Sequence, residues 1–205
     1  MLLQLTKPAP PEAALCRLLG ERLLKAEGTG SGDHLLVLAE RAARRAADLA
    51  EPRAAAGPYT VEVEDDGRRA LERISGKATP LAVVVTVGEA VEAEVRRLFG
   101  EGRATEALLL DTAGNLVLGT ATREACQRLE GVWLSPGCHE LPFSLLPSLV
   151  AAAEGGAAGV QLLPGGMLSP EKTVAGLAVK AAGERPPGCR CCASAVCPWR
   201  GGGEP

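Results

Sequence analysis

The densest chemistry in this sequence lies near its C-terminal end. Cys189, Cys191, Cys192 and Cys197 crowd into one short segment that closes on Pro198-Trp199-Arg200. Cys189, Cys192 and Cys197 follow the spacing C-x2-C-x4-C-x2-R, and Cys191 is an additional thiol inside it. Three thiolates this close can chelate zinc tetrahedrally or hold an iron–sulfur cluster. A fourth ligand would then come from Cys191, from Cys138 or from a partner protein. The spacing is not one of the standard ferredoxin runs, and the plainer alternative is a tail of reduced, reactive thiols.

Other residues carry less. His34 and His139 are the only histidines, and His139 stands between Cys138 and Glu140. A lone surface histidine is the simpler reading of it, and a metal ligand the sharper one. Asp65-Asp66-Gly67 is turn chemistry. Asp111, inside an apolar helical stretch, is an acid that can face a ligand groove. Arg41, Arg44 and Arg45 form a polar helix face, either solvated or turned to an acidic partner. Gly28-Thr29-Gly30-Ser31-Gly32 has a loose G-x-G-x-G pattern, but no strand precedes it, so a phosphate loop is disfavoured.

The whole chain narrows the classes. Its 205 residues suit one domain, or one domain plus a tail. A net charge of -3 provides no basic footprint for nucleic acid. No run approaches the roughly 20 apolar residues that a membrane span needs. Met1-Leu2-Leu3-Gln4-Leu5 has no basic n-region or cleavage site, so a cytoplasmic protein is expected. Seven cysteines, an odd count without a leader, argue against a secreted disulfide framework. With aromatics at 2%, the core must be built from Leu, Val and Ala.

The elements that must position these groups follow from periodicity. Leu15, Leu18, Leu19 and Leu23 predict a helix from Glu12 to about Leu24. Leu35, Leu38, Ala39, Ala42 and Ala46 predict a second, from about His34 to Leu49, capped by Asp33. Tyr59 to Glu64 alternates like a strand with one wet face, and a short helical piece is expected near Arg68 to Ile74. Leu81 to Val87 is a continuous β-branched run suited to a strand buried on both faces. Two helices follow: one with Val91, Val95, Leu98 and Phe99 on its inner side, then one from about Ala104 to Leu129. The stretch Leu108 to Gly114 should sit deep, and Gly114 and Gly119 can admit a close neighbour. Trp133 to Gly137 reads as a turn or loop, and Pro142 to about Ala153 as helical. Gly159 to Leu163 and Thr173 to Val179 read as strands joined by a turn-rich arm.

The order of these pieces resembles the activation domain of cobalamin-dependent methionine synthase, in a short stand-alone form. Val85-Thr86-Val87-Gly88, then Phe99-Gly100-Glu101-Gly102, then Leu108 to Gly114 is similar to that domain's central part. Leu134-Ser135-Pro136-Gly137 resembles its Ser-Pro-Gly-Tyr loop. Met167 to Gly176 resembles its last hairpin, with a Ser-Pro-x-Lys-Ser-Val pattern. The resemblance spans roughly residues 12 to 200, and shortened relatives carry a similar cysteine pattern at their C-terminus.

The resemblance implies an α/β (α+β) fold, a mixed β-sheet flanked by helices over residues 1–183, followed by a Cys-rich tail over 184–205. It implies S-adenosylmethionine as ligand, held at Trp133, Ser135, Pro136, Gly137 and Cys138. It further implies a cobalamin-binding methionine synthase or other corrinoid protein as partner, and a flavodoxin- or ferredoxin-type electron donor. The task would be reductive reactivation, in which the cobalt is reduced and then methylated. Cob(I)alamin is a strong nucleophile, so proximity suffices and no general acid or base is needed.

The match is incomplete at the pocket. Where the family has an Arg suited to a carboxylate, this chain has Trp133; where it has a Tyr, Cys138; where it has Thr-Glu, Leu163-Pro164. An aromatic of the last strand is replaced by Ala178. Trp133 can stack on an adenine or simply pack against the hairpin. The alternatives are a non-enzymatic electron-transfer or metal-binding partner of a corrinoid protein, working through the cysteine cluster, and a structural protein with a worn pocket.

Overall fold

The β-branched run around Val83 becomes the central strand of the molecule. The architecture comes from a computed structural model, which describes residues 1–23, 32–60, 79–137 and 141–180. The first half holds β1 (Leu2–Gln4), α1 (Glu12–Leu23), α2 (Gly32–Leu49), β2 (Arg53–Pro58) and β3 (Leu81–Thr86). Then come α3 (Ala90–Gly100), α4 (Ala104–Arg128) and β4 (Val132–Leu134). A 3-10 turn (Phe143–Leu145) runs into α5 (Leu146–Ala152), and a second one (Gly155–Ala158) follows it. The chain ends on β5 (Gln161–Leu162), β6 (Leu168–Ser169) and β7 (Thr173–Val179).

Five strands form one sheet in the order β1-β2-β3-β7-β4, and β5 with β6 forms a separate two-stranded arm. The α/β class with flanking helices holds. The expected mixed sheet is antiparallel in every described pairing. The reason is topological. β3 and β4 run in the same direction, as strands joined by a helical crossover do. β7 returns between them, so the two never pair.

Strand alternation divides the core between two layers. Val83 and Val85 of β3, with Ala54 and Ala56 of β2, pack on the layer made by α1 to α4. Ala82, Val84, Ala55, Ala175, Leu177 and Val179 pack on the other side, against α5 and its flanking turns. Among the described buried side chains the one aromatic is Tyr59, whose hydroxyl pairs with Ser148 Oγ at 2.6 Å. The rest is aliphatic, and each buried methylene contributes about 0.8 kcal/mol.

Several expectations shift. A strand that the sequence did not suggest, Arg53–Pro58, pairs with both β1 and β3. Tyr59 and Thr60 follow it as irregular chain, and residues 61–64 and 68–74 lie outside the described residues. Ala54-Ala55-Ala56-Gly57 carries no strand signal, because Ala and Gly are poor strand formers. Their smallness has a packing cause: a Cβ on Gly57 would run into the carbonyl of Ala152 at the end of α5. α2 is already helical at Gly32, so Asp33 sits in its first turn rather than at its cap. Phe99 and Leu108 are exposed; α3 buries one side through Val91, Val95 and Leu98, whereas α4 sits deep as expected, with Leu109, Leu110, Leu116, Val117 and Leu118 all buried. Trp133 and Leu134 belong to a strand, not to a loop.

The arginine face of α2 is solvated and ion-paired. Arg44 Nε reaches Glu12 Oε1 at 2.6 Å, and Arg45 Nε reaches Glu94 Oε1 at 3.4 Å. Among the described residues, no helix is long and apolar enough to cross a membrane.

Candidate functional site

A cleft forms because β4 is shorter than its neighbour. Its three residues pair only with Leu177, Ala178 and Val179, which leaves the first half of β7 unpaired on that side among the described residues. Gly176 marks the boundary. A Cβ there would stand 2.5 Å from Leu134 O and 2.7 Å from the Trp133 ring, so only glycine lets β4 lie this close. The chain then turns away through Ser135-Pro136-Gly137. Gly137 takes φ 79°, its N–H donates to Leu141 O at 2.8 Å, and the Phe143 ring lies against it.

The space left has a volume of about 430 Å³. Ser135 and Pro136 form one wall, and Phe143 and Leu146 a second. The arm, through Gly166, Met167 and Leu168, closes it from the third side. The floor is Glu171-Lys172 and the start of β7 that follows, through Ala175. Clefts of this size accept a drug-sized ligand against mainly apolar walls.

The floor is held in place by a buried polar network. Lys172 is 7% exposed, and its Nζ donates to Asp111 Oδ1 at 2.5 Å and to Asn115 Oδ1 at 3.0 Å, one turn apart on α4. Its stem passes Gly114: a Cβ there would lie 3.5 Å from Lys172 Cε and 2.8 Å from Val91 Cγ1. The close approach expected at Gly114 is therefore met by side chains, whereas Gly119 has open space around it. The Lys172 carbonyl accepts from the Val87 N–H at 3.1 Å and from Thr86 Oγ1 at 3.3 Å. Thr86 Oγ1 in turn accepts from Thr173 Oγ1 at 2.9 Å and from the Gly88 N–H at 3.1 Å. The Glu171 N–H donates to buried Glu92 Oε2 at 2.5 Å. β3, α3 and α4 thus all fix the start of β7, which is how a site gains a rigid wall.

The fold has a solved counterpart. It is similar to the crystal structure of the MetH reactivation domain bound to AdoHcy, with a TM-score of 0.64 and 13% sequence identity, covering 91% of this chain and 80% of that one. At that identity the likeness is one of fold. No family model matches the sequence, and no curated protein does.

Within this reactivation-domain fold, the sequence-predicted site residues divide into three groups. Ser135 and Pro136 line the cleft, and Gly137 shapes the loop that carries them. Trp133 is not part of the lining; its ring covers Gly176 and packs against the core of the four-helix layer. Cys138 lies outside the described residues, as do Cys189, Cys191, Cys192, Cys197 and His139. Among the described residues, no group of three or more His, Cys, Asp or Glu side chains is placed to hold a metal ion.

Residues that sequence reasoning missed are Lys172 and Asn115. Asp111 was visible as an acid in an apolar helix, but Lys172 stands 61 positions away, and no local spacing joins the two. The signal that was present is the polar Glu171-Lys172-Thr173 run directly ahead of an apolar strand.

Proposed function

We propose that this chain is an accessory module for the reductive reactivation of a cobalamin-dependent methionine synthase or a related corrinoid methyltransferase, with S-adenosylmethionine as the methyl donor. The observation that carries the reading is the meeting of the Ser135-Pro136 loop with the arm and β7 at one cleft, in a fold similar to a domain solved with AdoHcy. The cleft fits such a ligand. Its volume suits a nucleoside with an amino-acid arm, and Phe143, Leu146 and Leu168 offer apolar contact for a base. Ser135, Thr173 and the unpaired backbone at the start of β7 offer the polar contacts.

The ligand supplies the methyl group, and an external donor of flavodoxin or ferredoxin type supplies the electron. The protein's part is to bind and orient the sulfonium and to limit water around it. Phe143 and Met167 are exposed at the mouth and form an apolar rim of the kind that a partner surface covers. The partner in this reading is the cobalamin-carrying chain.

Two measurements test the proposal. Isothermal titration of the purified protein with S-adenosylmethionine should give saturable one-to-one binding; no heat at high ligand concentration would reject the ligand assignment. An absorption spectrum of a cob(II)alamin methyltransferase under reducing conditions should convert to the methylcobalamin form only when this chain and S-adenosylmethionine are both added. Equal conversion without the chain would reject the accessory role.

A further inference from the structure

We infer that Glu171 is the residue that makes the cleft select a ligand with a cationic group; this rests on the cleft being a ligand site as proposed above. Of the residues lining the cleft, Glu171 and Lys172 carry charge. The Lys172 ammonium is already matched by Asp111 and capped by Asn115 on α4. It therefore brings little net positive potential to the cleft. Glu171 is different. Its side chain is 59% exposed and reaches Arg96 at 3.6 Å.

Arg96 is itself 62% exposed and is shared with Glu92 at 3.8 Å. Exposed pairs at such distances hold weakly, so a ligand cation can compete with Arg96 for the Glu171 carboxylate. The backbone of Glu171 is fixed by its N–H bond to buried Glu92 Oε2 at 2.5 Å, which anchors the root of the side chain beside the cleft. A negative charge at the edge of the cleft attracts cations and repels anions over the short range that salt leaves unscreened.

The test titrates wild type, Glu171→Gln and Arg96→Gln with two probes, S-adenosylmethionine and the uncharged 5′-methylthioadenosine. Glu171→Gln should weaken S-adenosylmethionine by about fivefold, the scale of one partly solvated ion pair, and leave methylthioadenosine within about twofold. Arg96→Gln frees the carboxylate and should tighten S-adenosylmethionine while leaving methylthioadenosine unchanged. An unaltered S-adenosylmethionine affinity in Glu171→Gln overturns the assignment. So does an equal loss for both probes, which would make Glu171 a shaping residue. If wild type binds neither probe, the cleft reading itself has failed, and the selectivity assignment fails with it.

Discussion

Replacing Gly176 with Ala tests whether the cleft edge is set by backbone contact. Two effects oppose each other. Removing a glycine from a strand gains about 0.5–1 kcal/mol from lost unfolded-state freedom. The new Cβ, however, would stand 2.5 Å from Leu134 O, and 2.7 and 2.9 Å from two atoms of the Trp133 ring. Overpacking of this kind costs about 1–3 kcal/mol. The carbonyl cannot rotate away, so β4 must shift, and β4 has only three paired residues to resist. Net destabilisation of about 1–2 kcal/mol is expected. The assay is the urea midpoint at constant m-value. Gly119→Ala is the control of opposite sign: it sits inside α4 with nothing within 4 Å, so it should stabilise by up to about 1 kcal/mol. If Gly176→Ala is as stable as wild type, the Leu134 contact does not define the edge, and the account of the cleft fails.

Further predictions follow from the network and the surface. Lys172→Met keeps the stem beside Gly114 but removes the ion pair; Asp111, 40% exposed, returns to water, so the cost should be about 1–2 kcal/mol rather than that of a stranded buried charge. A double-mutant cycle with Asp111→Asn should show coupling between the two positions, and strict additivity would contradict the pair. Hydrogen bonds from Arg97, Nε to Glu94 Oε2 at 2.8 Å among them, hold the Glu94 carboxyl below the usual carboxylate range. A depressed folded value stabilises above the unfolded pKa of about 4.3 and is lost as pH falls through the folded one, so acid should weaken wild type more steeply than Glu94→Gln. Identical pH slopes between 6 and 3 in urea midpoints would contradict that role.

The long elements were legible because their patterns are strong. α1, α3 and α4 stand where apolar spacing placed them, within a residue or two, and β3 is buried on both faces as its β-branched run requires. β2 was invisible for a physical reason. Its Ala and Gly residues express no strand preference and are selected by the pressure of Ala152 on Gly57 and by pairing on both edges. β4 was read as a loop because three residues cannot show alternation. The antiparallel sheet was also out of reach, since it depends on β7 returning between β3 and β4, a long-range event.

The site shows the same limit more sharply. Matching the loop by sequence offset places Trp133 where a ligand-binding arginine would stand, and treats the change as a loss. In the fold, position 133 is on a strand, and the strand's alternation turns it toward the four-helix layer while Leu134 faces the other. A side chain at 133 therefore covers Gly176 and does not line the cleft. The charge that does line it comes from Glu171 and Lys172, at the far end of the arm. Sequence offset carries residue type but not direction. The charge that borders this cleft is therefore set just ahead of β7, and Trp133 bears on how β4 packs.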